Sequence, residues 1–127
     1  MDIALWIAQG VLAAAFLAAG LTKLKDDRLT YAATRPPSTS FAEDLTDPVF
    51  KTIGVLELLG AVGVVLPWLL DIAPILTPVA AAGLAVIMVG AIATHVRRKE
   101  HQPIVVNVVL LSLALAVSVG RGIALLG

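Results

Sequence analysis

Four long apolar runs limit what this chain can become. Ile3 to Leu21 is interrupted only by Gln9, and Thr52 to Leu70 carries a single charge, Glu57. Ile75 to Thr94 and Ile104 to Gly120 carry no charge. Each is long enough to cross a hydrocarbon core of about 30 Å as a helix rising about 1.5 Å per residue. The alternation typical of strands is absent. Lipid offers no water to satisfy backbone N–H and C=O groups, so helices are the structures such runs can adopt there. Spans are expected at about 3–22, 51–70, 75–95 and 104–122. Together they leave room for only short connections in 127 residues. The expectation is an all-α membrane protein: one domain over residues 1–127, folded as a compact antiparallel bundle of four transmembrane helices.

Composition agrees with that solvent. The apolar fraction is 59%, against about 45–50% in ordinary soluble domains. That excess points to the lipid bilayer as partner, and nine basic residues balanced by nine acidic ones argue against a nucleic-acid partner. There is no cysteine, so thiol chemistry, iron–sulfur clusters and thiolate metal sites are excluded, and no other metal-binding motif stands out. The first run opens with Asp2 and lacks the basic start and short apolar centre of a cleaved signal, so it is read as a span.

The placement of charge carries more information than its sum. Lys23, Lys25, Arg28, Arg35 and Lys51 flank the first connection, and Arg97, Arg98 and Lys99 occupy the third, leaving only Arg121 on the other side. The positive-inside rule then puts loops 24–50 and 96–103 in the cytoplasm and both termini outside. Arg97-Arg98-Lys99 reads first as this topology signal and second as a contact for anionic lipid. Trp68 suits an interfacial anchor.

Local signals refine the connections. Asp47 is placed to cap the second span, with Pro48 at its first position. The stretch from Arg35 to Ser40, with Pro36 and Pro37, breaks any helix. Ser40-Phe41-Ala42-Glu43 has capping-box spacing, so loop 24–50 holds either a short surface helix near Phe41 to Leu45 or an irregular polar segment. Small residues spaced for close helix contact occur at Gly10, Ala14 and Ala18, at Gly54, Gly60 and Ala61, and at Gly83 and Gly90. They fit a compact bundle, and equally a dimer interface.

Four polar residues fall at one depth because antiparallel spans reverse chain direction. Lys23 closes the first helix, Glu57 lies about 9 Å into the second counted from Lys51, His95 ends the third, and Asn107 sits one turn into the fourth. A membrane-buried charge costs about 2.5–3.5 kcal/mol at the span centre and turns toward a partner or a wet cavity. Gly54, Gly60, Ala61 and Val64 share the face of Glu57, which places that carboxylate inside the bundle. Lys23 either neutralises Glu57 or snorkels to the headgroups. His95 shares a stripe with Leu84, Met88 and Ala91, and either faces Glu57 or a ligand or is an interfacial residue. Asn107, in line with Leu111, Ala114 and Ser118, is best explained as interhelical hydrogen-bond glue. Gln9 and Arg121 lie about 21 Å away at the opposite side and cannot join this group. Neither a bis-histidine haem nor a Ser-His-Asp arrangement can be assembled.

Gly20-Leu21-Thr22-Lys23-Leu24, Gly54-Val55-Leu56-Glu57-Leu58-Leu59-Gly60-Ala61 with Leu66-Pro67, and Met88-Val89-Gly90-Ala91-Ile92-Ala93-Thr94-His95 occur in an order and spacing that resembles the DoxX-like family of small four-helix bacterial membrane proteins. The resemblance spans nearly the whole chain. It implies a bundle of the bacterial inner membrane in which Lys23, Glu57 and His95 match recurrent polar positions, and a link to quinone-reducing or redox-stress membrane complexes. With no second redox domain, the expected role is an accessory subunit without independent catalytic activity. Its polar pocket, formed by Glu57, His95, Lys23 and Asn107, would take a small lipophilic ligand such as a quinone. A dimeric proton-coupled exporter and a structural partner of another membrane protein are the alternatives.

Overall fold

The computed structural model describes residues 2–36 and 38–127; Pro37, within the expected helix-breaking stretch, lies outside them. Regular structure among the described residues is entirely helical. It comprises α1 (Asp2–Lys25), α2 (Arg28–Ala32), a 3-10 turn (Ser40–Asp44), α3 (Asp47–Gly63), α4 (Leu66–Leu70), α5 (Leu76–Arg97) and α6 (His101–Leu126). Spans of sufficient length and apolarity are α1, α3 with α4, α5, and α6. They run up and down, with α1 packed on α3 and α6, and α5 on the same two helices. Residues 26–36 and 38–46 and the α5–α6 turn lie at one end, called here the loop end. The chain termini and the α4–α5 turn lie at the other, the termini end.

The outer surface is apolar, with Val86 72%, Val105 66% and Ile123 62% exposed. Such a surface needs hydrocarbon around it, and the chain is a multi-pass integral membrane protein. The core joins Leu12 and Phe16 of α1, Ala61 of α3, Leu84 and Met88 of α5, and Ala114 and Val117 of α6.

Small residues draw the helices together only in part as expected. Gly54 and Gly60 are buried, and a Cβ on Gly54 would lie 3.0 Å from Lys23 Cβ and 3.4 Å from the Gly20 carbonyl oxygen. That crossing of α1 and α3 requires both glycines: a Cβ on Gly20 would approach the Gly54 carbonyl oxygen to 2.8 Å. By contrast, Gly10, Ala14 and Ala18 are exposed on α1, and Gly10, Gly83 and Gly90 would each place a Cβ in open space. Those two seams do not pack the bundle, because hydrophobic spacing alone fixes a face without saying which neighbour it meets.

The second span is not one continuous helix. Pro67 has no N–H to bond the Gly63 carbonyl, and its ring crowds that turn, so α3 ends at Gly63 and α4 restarts at Leu66. The freed carbonyls find other donors, as a lipid environment requires. Thr77 Oγ1 donates to Gly63 O at 3.0 Å, and Gln9 Nε2 donates to Val64 O at 2.6 Å. Gln9 in turn accepts from Arg121 Nε at 2.7 Å, and Arg121 also pairs with Asp2. The guanidinium lies 4.7 Å from the Trp68 ring centroid and 5.3 Å from that of Trp6, and Trp68 thus serves this packing as well as an end-of-span position. The two polar residues set apart from the site in the sequence therefore form a clasp of their own.

Helix ends also differ in detail from expectation. Thr46, not Asp47, caps α3 through its side chain, with Pro48 in the first turn. Asp47 is one place too far along and instead receives Arg28 Nε at 2.9 Å. Lys51 Nζ donates to the carbonyls of Lys23, Leu24 and Asp26 at 2.7, 3.2 and 2.6 Å. It thereby places a cation on the negative end of α1.

Gln9→Leu removes the donor to Val64 O and the acceptor of Arg121 Nε at once. A loss of about 3 kcal/mol is expected from two buried groups left unpaired, read as a lower thermal midpoint in detergent. Thr77→Val, which frees only the Gly63 carbonyl, is expected to cost about 1 kcal/mol.

Candidate functional site

The site begins with the loop after α1. Asp27 caps α2, accepting from Thr30 N at 2.7 Å, and that backbone bond holds its carboxyl below the ordinary value. Tyr31, Ala32, Ala42 and Phe50 form a second, small core with Phe41 and Leu45 packed against it. Tyr31 meets Phe50 at 5.1 Å between centroids and Phe41 edge-on at 6.1 Å. The capping box at Ser40 does not form: Thr39 precedes the 3-10 turn, and its hydroxyl accepts from Arg35 N and donates to Ala32 O, both at 3.0 Å. The short helix expected near Phe41 to Leu45 is present as the 3-10 helix Ser40–Asp44, and it belongs to a folded cap across the end of the bundle, not to an irregular polar segment.

Ionic contacts tie this cap to the α5–α6 turn. Arg98 Nε donates to Glu100 Oε2 at 3.1 Å, Arg98 also pairs with Asp44, and its Nη2 lies 3.7 Å from Glu43. Arg98 is therefore a structural latch as well as part of a charge bias, and the hydrogen bonds it donates to Asp44 and Glu100 raise its pKa further. His95 Nδ1 lies 2.8 Å from Glu100 Oε1. An ionised carboxylate only accepts, so Nδ1 carries the proton and, in the neutral ring, Nε2 is an acceptor. Burial acts to raise the Glu100 pKa, but the hydrogen bonds from His95 and Arg98 outweigh it and hold the group below its ordinary value.

Under the cap lies a cavity of about 710 Å³. Lys23, Glu57, His95 and Asn107 all line it, together with Tyr31, Arg35, Pro36, Ser38, Phe41 and Leu45 from the cap and mostly apolar side chains of α1, α3, α5 and α6. Lys23 Nζ sits 2.8 Å from Glu57 Oε1, and both side chains are about 5% exposed. The contact is an ion pair by distance without the alignment of a hydrogen bond, so Glu57 Oε1 keeps accepting capacity. The lysine does not snorkel. Its Cβ passes over bare Gly54, and Nζ stands 5.1 Å from the Tyr31 centroid and 6.0 Å from that of Phe41.

The other two polar residues behave differently from expectation. His95 is 4% exposed and faces Phe41 at 5.6 Å, but its bonded partner is Glu100, not Glu57. Asn107 Nδ2 is buried and has no hydrogen-bond partner, so Asn107 is not interhelical glue through that group. Sequence reasoning missed Glu100 and the aromatic cap. Three of the four Phe and Tyr residues fall at 31, 41 and 50, within or beside a supposedly polar loop, and that concentration was the available signal. Among the described residues no cluster of acidic or imidazole side chains suits a metal.

Removing one partner of the Lys23–Glu57 pair strands the other in the interior. Lys23→Met and Glu57→Leu are each expected to cost about 3–5 kcal/mol, and the double variant to recover most of that loss. Thermal midpoints of the three proteins in one detergent provide the check. For Glu100, a native pKa below the unfolded value means its contribution is complete above the unfolded value of about 4.5 and is lost as pH falls through the lower native one. The stability difference between wild type and Glu100→Gln should therefore hold from pH 7 to about pH 5 and shrink below about pH 4.5.

No curated protein and no solved structure gave a match to this chain. A sequence profile of the DoxX-like family matches residues 7–117, which include every element of the cavity. The chain belongs to the DoxX-like family.

Proposed function

We propose that the protein binds a small lipophilic molecule, a quinone being the leading candidate, in the cavity beneath the loop cap, and acts as an accessory subunit of a redox-linked membrane complex. The observation that carries this reading is a cavity of about 710 Å³, within the roughly 300–1,000 Å³ common for small-molecule sites. Its walls are mainly apolar, with a few convergent polar groups. Tyr31 and Phe41 offer aromatic surface to a planar ring, and His95 Nε2 and Asn107 Nδ2 supply an acceptor and a donor. Lys23 and Glu57 neutralise each other in the interior, and Arg35 of the lining is exposed at the loop end, which together favour an uncharged head group inside. The role assigned is binding; electron transfer would belong to a partner. The bias of eight basic residues to one against the termini end supports loops 24–50 and 96–103 in the cytoplasm of a bacterium and termini outside.

Protein purified from native membranes in mild detergent should carry a quinone-class lipid near one per chain, measured by mass spectrometry of the organic extract. Glu57→Gln leaves Lys23 charged beside the head group and should reduce that retention severalfold. Extracts at detergent background, with Glu57→Gln indistinguishable from wild type, would remove the reading.

A further inference from the structure

We infer that the ligand enters the cavity sideways from the lipid through a gap between α1 and α6, and that Asn107 Nδ2 donates to a carbonyl-type acceptor on its head group. This rests on the binding role proposed above. The route follows from how two facing stripes diverge. On α6, Ser118 Oγ donates to Pro78 O of α5 at 3.0 Å, while Gly120 packs on Leu5 of α1, so the two neighbours of α6 meet different sides of it. Stepping seven residues at a time along the α1 side leads from Gly120 to Leu113 and Val106. The matching steps on α1 lead from Leu5 to Leu12 and Ala19. Near the termini end the helices touch at Leu5–Gly120, and Gln9 and Arg121 bond across them. At the middle level Leu12 is fully buried, and Leu113 packs on the core.

At the third level the stripes no longer close. Ala19 and Val106 both line the cavity, and Val106 is 58% exposed. A residue that borders the cavity and also faces lipid marks an opening between the two. The short side chain of Ala19 adds nothing to bridge it. Arg35, Pro36, Ser38 and Gln102 also border the cavity and are exposed, but they lie at the loop end, where an opening faces water; the gap at Val106 faces lipid and offers a molecule dissolved among acyl chains a route that avoids water.

The choice of head group follows from the unpaired donor. Burying an amide N–H without a partner is costly, and such a group is normally satisfied. Asn107 Nδ2 has no partner, although it stands one residue from Val106 at the inner edge of the gap. An uncharged molecule with a carbonyl oxygen and an apolar tail satisfies it. A cation would meet Lys23, and an anion would bring a second negative charge beside Glu57, while Arg35, the other cation of the lining, is exposed at the loop end.

The test uses radiolabelled decyl-benzoquinone and the whole chain in lipid nanodiscs, with association and dissociation followed by rapid filtration. Val106→Trp should slow both association and dissociation at least tenfold, the mark of a narrowed passage, since the loss of a lining contact alone would speed release. Val105→Trp, equally bulky at a neighbouring lipid-facing position that does not line the cavity, should change neither rate. Asn107→Leu removes the donor without stranding another group and should raise the dissociation constant about tenfold, mainly through faster release. Matching thermal midpoints establish that each variant is folded; should Asn107→Leu melt early, Asn107→Ala is measured in its place with the same expectation. Wild type that binds the probe, with rates insensitive to Val106→Trp or affinity insensitive to loss of the Asn107 amide, overturns this inference and leaves the binding role standing. Wild type that fails to bind the probe overturns both.

Discussion

Inside lipid, a lysine and a glutamate survive only by facing each other, and the Lys23–Glu57 pair at 2.8 Å sets the architecture around it. Gly20 and Gly54 let α1 and α3 approach until Lys23 can cross the bare surface of α3 to reach the carboxylate. Tyr31 and Phe41 then cover the ammonium with aromatic faces, which places the loop over the bundle end. Buried ion pairs give little net stability over a well-packed apolar alternative. Their retention here is better understood through what they specify: one register of α1 against α3, and a polar floor beneath an otherwise apolar chamber.

The requirement that backbone groups be satisfied accounts for the other end. Pro67 interrupts the second span, and the carbonyls of Gly63 and Val64 would be orphaned but for Thr77 and Gln9. Arg121 fixes Gln9 and is itself held by Asp2, Trp6 and Trp68. Residues from α1, α4, α5 and α6 thus meet around one break in α3–α4. Membrane helices tolerate proline where neighbouring side chains repair the ladder, and this clasp is a specific instance.

The membrane spans were legible because length and apolarity are properties of a single segment. So was the inward direction of Glu57, since a carboxylate flanked by Gly54 and Gly60 has only one face on which it can be buried. What stayed hidden depended on partners from distant segments. Nothing local says that Gln9 will reach Val64, or that the proline break will be repaired from α1. Likewise, His95 pairs with Glu100 because the chain reverses between them, bringing a residue of the turn back to the helix end. Asn107 misled for the opposite reason: its helical stripe is real, but the facing space is a cavity instead of a neighbour. The small-residue seams at Gly10 and Gly83 show the same limit, since composition marks a face as able to pack without ensuring that anything packs there.

The two ends of the molecule differ in how they are joined, and this bears on how it can move. Polar bonds join α1, the end of α3, α5 and α6 around Val64 and Arg121, whereas at the loop end α1 is bonded to α3 through Lys23 and Lys51, and the cap is tied to the α5–α6 turn by the partly exposed ionic contacts of Arg98. Relative tilting of α1 and α6 therefore has its pivot at the clasp, with the chamber at the far tip of the lever. Over the fourteen residues from Leu5 to Ala19, about 21 Å of helix, a tilt of about 5° displaces that tip by nearly 2 Å. Small rotations at a rigid base thus suffice to change the width of the distal cleft, with no helix needing to bend or unwind.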